Sequence, residues 1–178
     1  MACLAKSCFS LRRAALLACA ILPLAFGGAG LRPASAASGP FAEFPGRWAG
    51  TGIIRVKNSD GEHTERIRCD AAYDVRSERD INLHLTCKSD SYNFDLTGDF
   101  QADARNHVSG RWTESSRNIG GEAIGTARSN RLQLHVESSV LSGNLGMVTR
   151  SRSQTVSLDA MGSGQSVRTS ITLHRSSR

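Results

Sequence analysis

Arg68-Cys69-Asp70-Ala71-Ala72-Tyr73-Asp74-Val75-Arg76-Ser77-Glu78-Arg79-Asp80-Ile81-Asn82-Leu83-His84-Leu85-Thr86-Cys87-Lys88 is the stretch that decides the fold. On both sides of the polar cluster Ser77 to Asp80, apolar residues alternate with polar ones, the period of a strand that buries one face. With Ser77-Glu78-Arg79-Asp80 as a turn, antiparallel pairing sets Val75 opposite Ile81, Tyr73 opposite Leu83, Ala71 opposite Leu85 and Cys69 opposite Cys87. Every apolar residue meets another, so one face of this hairpin is a core face. Directly opposed cysteines on neighbouring strands stand close enough to bridge, and the short loop they close is worth about 3 kcal/mol in the chain-entropy description.

A disulfide needs an oxidising compartment, and residues 1–37 supply a route to one. Lys6, Arg12 and Arg13 form a basic start, Ala14 to Leu24 is apolar, and Ala34-Ser35-Ala36 is a small-residue cleavage site, the pattern of a secretory signal peptide. Leu16-Leu17-Ala18-Cys19 has the form of a lipoprotein box, but Arg13 lies too close before it and the apolar run continues past it. No later stretch approaches the ~18 apolar residues of a membrane helix. Periplasmic or secreted export is therefore expected. Cleavage removes Cys3, Cys8 and Cys19, leaving only Cys69 and Cys87.

Cleavage also changes the charge. Four of the 22 basic residues (Lys6, Arg12, Arg13, Arg32) precede residue 38 and no acidic residue does, so 18 basic face 16 acidic residues and the net falls from +6 to +2. With no dense Lys/Arg run and no stacking aromatics between basic residues, nucleic-acid binding is not expected.

Residues 38–45 read as a flexible lead-in and 46–178 as one domain. No proline lies beyond Pro45, and turn residues punctuate the chain at intervals of about ten with alternation between, the mark of many short antiparallel strands. Gly46 to Lys57 faces Trp48, Gly50, Gly52, Ile54 and Val56 one way, and Asp60-Gly61 after it is a hairpin signal that sets Ile54 opposite Ile67. Tyr92, Phe94, Leu96 and Phe100 share a face, and Gly110 and Trp112 share one further on. Ser129-Asn130 pairs Ala127 with Leu132, Gly125 with Leu134 and Ala123 with Val136. Met147 to Ala160 reads as one strand with a bulge, because Met147 lies on odd parity and Val156 and Leu158 on even. The expected architecture is all-β, an antiparallel up-and-down meander of nine strands, or ten if that bulged run is two, closing into a single barrel, with a two-sheet sandwich as the alternative.

Gly46-Arg47-Trp48 at the start of the first strand, with Arg175 inward on the last, resembles the calycins, the lipocalin and avidin-like β-barrels, in which an Arg packs over that Trp. The Arg68-Cys69 and Ser91-Tyr92-Asn93-Phe94-Asp95-Leu96 segments are similar to small uncharacterised exported proteins of alphaproteobacteria, a resemblance that brings no activity with it. The calycin resemblance implies a barrel that holds a small ligand.

No constellation of residues declares a reaction, and no enzyme is expected. His84, His135 and His174 point outward by alternation, and none lies within metal-ligand spacing of another His or Cys on one strand face. Asp70, Asp74, Asp95 and Asp99 lie on polar faces, where they share no cleft. Gly162-Ser163-Gly164 lacks the strand and helix of a nucleophile elbow, and the Gly120 to Gly125 run lacks the Lys of a phosphate loop. No metal or cofactor is expected. Trp48, Tyr73, Phe94 and Trp112 fall on inward faces: they are candidates to line a pocket for a small apolar or amphipathic ligand, or else fill a solid core, in which case the protein works through its outer face in the envelope. Arg150 and Arg152 share parity with Val156, so without a bulge they would enter the interior and contact an anion; the cost of burying like charges favours the bulge and an exposed pair.

Overall fold

The computed structural model describes residues 39–176; the signal peptide expected over 1–37 lies outside them. Ten antiparallel strands follow in chain order: β1 (Gly46–Asn58), β2 (Gly61–Ser77), β3 (Asp80–Lys88), β4 (Asn93–Ala102), β5 (His107–Glu114), β6 (Ile119–Arg128), β7 (Arg131–Glu137), β8 (Ser142–Arg150), β9 (Ser153–Gly162) and β10 (Gln165–Arg175). Each pairs with the next and β1 pairs with β10, so the sheet closes into an up-and-down barrel with no free edge. This settles the choice between barrel and sandwich in favour of the barrel.

The β2–β3 hairpin has the expected register, with Cys69 opposite Cys87, Ala71 opposite Leu85, Tyr73 opposite Leu83 and Val75 opposite Ile81. Cys69 and Cys87 are bridged across a Cα–Cα distance of 4.1 Å. The β6–β7 pairs are likewise those expected. At β1–β2 the two-residue loop is Ser59-Asp60 rather than Asp60-Gly61, fixed by the Asp60 N–H donating to Asn58 Oδ1 at 3.0 Å. Ile54 therefore faces Glu65, not Ile67. The partners slide by two positions, and because the side-chain period is two, every residue keeps its face.

The 147–160 run is two strands joined by a tight turn at Ser151-Arg152, where Ser151 adopts φ 54°. The turn inverts parity, so Met147 and Val156 are cross-strand partners and both are buried. An even strand count follows, and it makes β10 antiparallel to β1, with Trp48 opposite Arg175.

The buried core is apolar apart from Glu114, Thr149 and Gln154, and the outer face is mostly polar, with Ile53, Ile124 and Met161 as exposed apolar exceptions, the inverse of an outer-membrane barrel, whose apolar band faces lipid. Among the described residues no helix is long and apolar enough to cross a membrane. All five histidines are exposed.

Residues 39–45, expected as a flexible lead-in, pack instead. Phe41 and Phe44 are fully buried, the Glu43 N–H donates to Ser129 O at 3.0 Å, and Arg175 Nη2 donates to Glu43 O at 3.0 Å. The segment lies across the barrel end where β1 begins and β10 ends. Its two phenylalanines carry the apolar payload that fastens it, a signal visible in the sequence as Phe-x-x-Phe just before the first strand.

Candidate functional site

The interior divides into two halves. In the half under residues 39–45, Trp48, Phe41, Phe44, Leu83, Met147 and Leu173 are all at or below 1% exposure and pack in the hydrophobic core. The Trp48 indole N–H donates to Phe44 O at 3.0 Å, and the Phe44 and Tyr73 rings meet edge to face at 5.7 Å. Three polar side chains are buried here and satisfy one another: Tyr73 donates to Gln154 Oε1 at 2.6 Å, and Gln154 Nε2 donates to Thr149 Oγ1 at 3.0 Å. Burial pushes the Tyr73 phenol well above its ordinary value, with the Gln154 bond opposing it, so it stays a neutral donor.

The other half holds a cavity of about 280 Å³. Its walls are Ile67, Leu85, Phe100, Trp112, Val156 and Ile171, with Cys87 of the disulfide beside them. The Phe100 ring folds over Gly98, where any Cβ would collide with it; the glycine lets the ring lie along the wall. Toward the mouth the lining passes to Phe94, Tyr92, Ile119 and Val140, residues at the ends of β4, β6 and the turns beside them. No described segment crosses this end as 39–45 crosses the other. That difference is why one half is filled and the other is hollow.

Two charged groups reach the cavity, and both come from the end of β5 and the turn after it. Glu114 lies two positions beyond Trp112, on the same inward face, and is only 5% exposed. Its Oε1 accepts the backbone N–H groups of Asp95 and Ser116, each at 3.0 Å, and its Oε2 accepts the Arg117 N–H at 3.0 Å and Arg117 Nη1 at 3.4 Å. Burial alone would raise this carboxyl, but the donors from Asp95 and Ser116 and the charge of Arg117 outweigh it and hold the group below the usual carboxylate range. Arg117 carries its guanidinium 4.7 Å over the Phe94 ring, and Nη1 also donates to Asn93 O at 2.9 Å. The carboxylate thus ties the β3–β4 and β5–β6 ends together at the cavity rim.

Of the sequence-derived lining candidates, Phe94 and Trp112 stand at the cavity, while Trp48 and Tyr73 lie in the filled half. All four lie on the inner face; alternation gives the face of a residue but not its depth along the barrel axis. Arg150 and Arg152 do not enter the interior. Both are exposed, at and beside the turn that replaces the expected bulge, at the filled end where Arg152 O accepts the Arg175 N–H. Glu114 and Arg117 were missed. The parity shared by Trp112 and Glu114 carried a signal for the first; Arg117 sits in a turn, where no period operates.

No family model matches this chain, and no curated protein matches it. Solved structures do. The structure of Rv2717c from M. tuberculosis superposes with a TM-score of 0.60 at 13% identity, covering 76% of this chain and 94% of that one. The S-type phycobiliprotein lyase CPES from Guillardia theta superposes with a TM-score of 0.51 at 10% identity, covering 76% of this chain and 90% of that one. At these identities the likeness is one of fold alone.

Proposed function

We propose that this chain is an exported, periplasmic or secreted barrel that holds one small apolar or amphipathic ligand in the hollow half of its interior. The observation that carries the reading is the cavity of about 280 Å³, walled by apolar side chains in a barrel whose other half is packed solid. Export is supported by the signal-like residues 1–37 and by the buried disulfide. Binding is favoured over catalysis because Glu114, the carboxylate on the cavity wall, has both oxygens engaged by N–H donors and is held ionised, which leaves it no proton to give and little basicity to take one.

The two tryptophans report on the two halves separately. Titration of 1-octanol, followed by fluorescence, should give a saturable emission change in Trp48→Phe protein, where Trp112 remains at the cavity. In Trp112→Phe protein, where only the packed Trp48 remains, emission should stay flat. An absence of change in the first protein, or equal changes in both, would overturn the reading.

A further inference from the structure

The geometry points to a carboxylate-headed amphiphile as the ligand class, its tail inside the barrel and its head on Arg117; this rests on reading the cavity as a ligand site.

The cavity offers one cation on its lining, Arg117, and that group is only partly used. Nη1 is committed to Asn93 O and Glu114 Oε2, and the face of the guanidinium lies on Phe94. Among the described residues, Nε and Nη2 have no hydrogen-bond partner. These two nitrogens form one edge of the plane, a fork of parallel N–H groups that matches two carboxylate oxygens. Glu114 does not fill this edge, because its oxygens are turned into the N–H groups of Asp95, Ser116 and Arg117. Instead it fixes the guanidinium, so that little side-chain freedom is lost when a ligand arrives. The Arg117 side chain is 41% exposed, so a head group there stays partly hydrated while an attached tail descends past Phe94 to Trp112. The cavity of about 280 Å³ leaves room for a short alkyl tail.

The test is calorimetric titration at pH 7 of octanoate and of 1-octanol, which share a tail and differ in charge. Octanoate should bind wild-type protein at least about tenfold more tightly, the factor of one charge-assisted contact worth about 1.4 kcal/mol. In Arg117→Ala protein that preference should vanish while octanol binding is retained. As a readout that needs no variant, the Arg117 Nε–H proton resonance of the wild type should move downfield with octanoate and hold still with octanol. Octanol binding without a preference for octanoate, a preference that survives Arg117→Ala, or an unmoved Nε–H resonance would overturn the inference and leave the cavity reading intact. Failure of both compounds to bind would remove the cavity reading, and this inference with it.

Discussion

The guanidinium of Arg175 stacks 4.3 Å over the ring of Trp48, and the two residues are also backbone partners in the strand pair that closes the barrel. The same two side chains hold the segment laid across that end. Trp48 donates to Phe44 O, while Arg175 donates through Nη1 to Pro45 O and through Nη2 to Glu43 O. One ring and one guanidinium thus join the first strand, the last strand and the lid that fills half the interior. The even strand count makes this possible, since it brings the start of β1 and the end of β10 to the same end.

Arg175→Ala should therefore cost about 2 kcal/mol, the sum expected for a partly exposed cation-π contact and two bonds to carbonyls. Arg175→Lys should restore only part of it, because an ammonium cannot span two carbonyls while lying flat on an indole. Urea midpoints measure the cost. Hydrogen exchange at Phe44 and Trp48 should accelerate in the Ala variant, and wild-type protection there would contradict the role given to this pair.

The Cys69–Cys87 bridge closes a loop of 18-residue separation, and both cysteines are at most 3% exposed. Replacing both by Ala should cost about 3 kcal/mol. Because the sulfurs lie inside the wall, a mild reductant should cut the bridge no faster than the β2–β3 hairpin opens. Thiol titration in native buffer and again in urea checks this: immediate reduction of the native protein would mean that the bridge is not enclosed.

Alternation made β2, β3, β6 and β7 legible in the sequence to the exact cross-strand partner, because each is a hairpin with polar turns and one buried face. It could not place residues along the axis: Trp48 and Trp112 have the same pattern around them, yet only one stands at the cavity. The turn at Ser151-Arg152 is not legible as one because it lacks glycine or asparagine, the residues that ordinarily announce a positive φ such as that of Ser151, so the parity change across it reads as a bulge. The lid was missed because burial of Phe41 and Phe44 is a tertiary event with no period. The site charges were missed for a related reason. Glu114 is tolerated inside because three backbone N–H groups, one from β4 and two from the turn after β5, converge on it, and that convergence exists only once the strands are paired.

Glu114 gives the protein an acid dependence. Its carboxyl sits below its ordinary value of 4.5 in the folded protein, so the unfolded chain takes up the proton first as the pH falls. The stability it contributes is full above pH 4.5 and is lost as the pH drops through the lower folded value. Glu114→Gln should lower the urea midpoint at pH 7, where the charged acceptor is replaced by a neutral one, and the gap from wild type should narrow toward pH 3. Exposed Asp99 and Asp103 are also held below the usual carboxylate range, so the comparison must be of the two proteins at each pH rather than of one protein across it. A gap that is constant with pH would mean that Glu114 is not held ionised by these donors.

Packing distinguishes the two halves most directly. Val167 lines the cavity, half-buried between Val56 and Ala160 on the neighbouring strands, whereas Leu173 is fully buried in the filled half. Val167→Phe puts a ring where there is open volume, and should leave stability unchanged or raise it by up to about 1 kcal/mol while weakening octanol binding more than about tenfold. Leu173→Phe makes a comparable addition where none fits, and should destabilise by about 1–3 kcal/mol. The contrast is independent of any ligand's identity, because it tests the space itself. Equal destabilisation by the two variants would mean that the open half is as closely packed as the other.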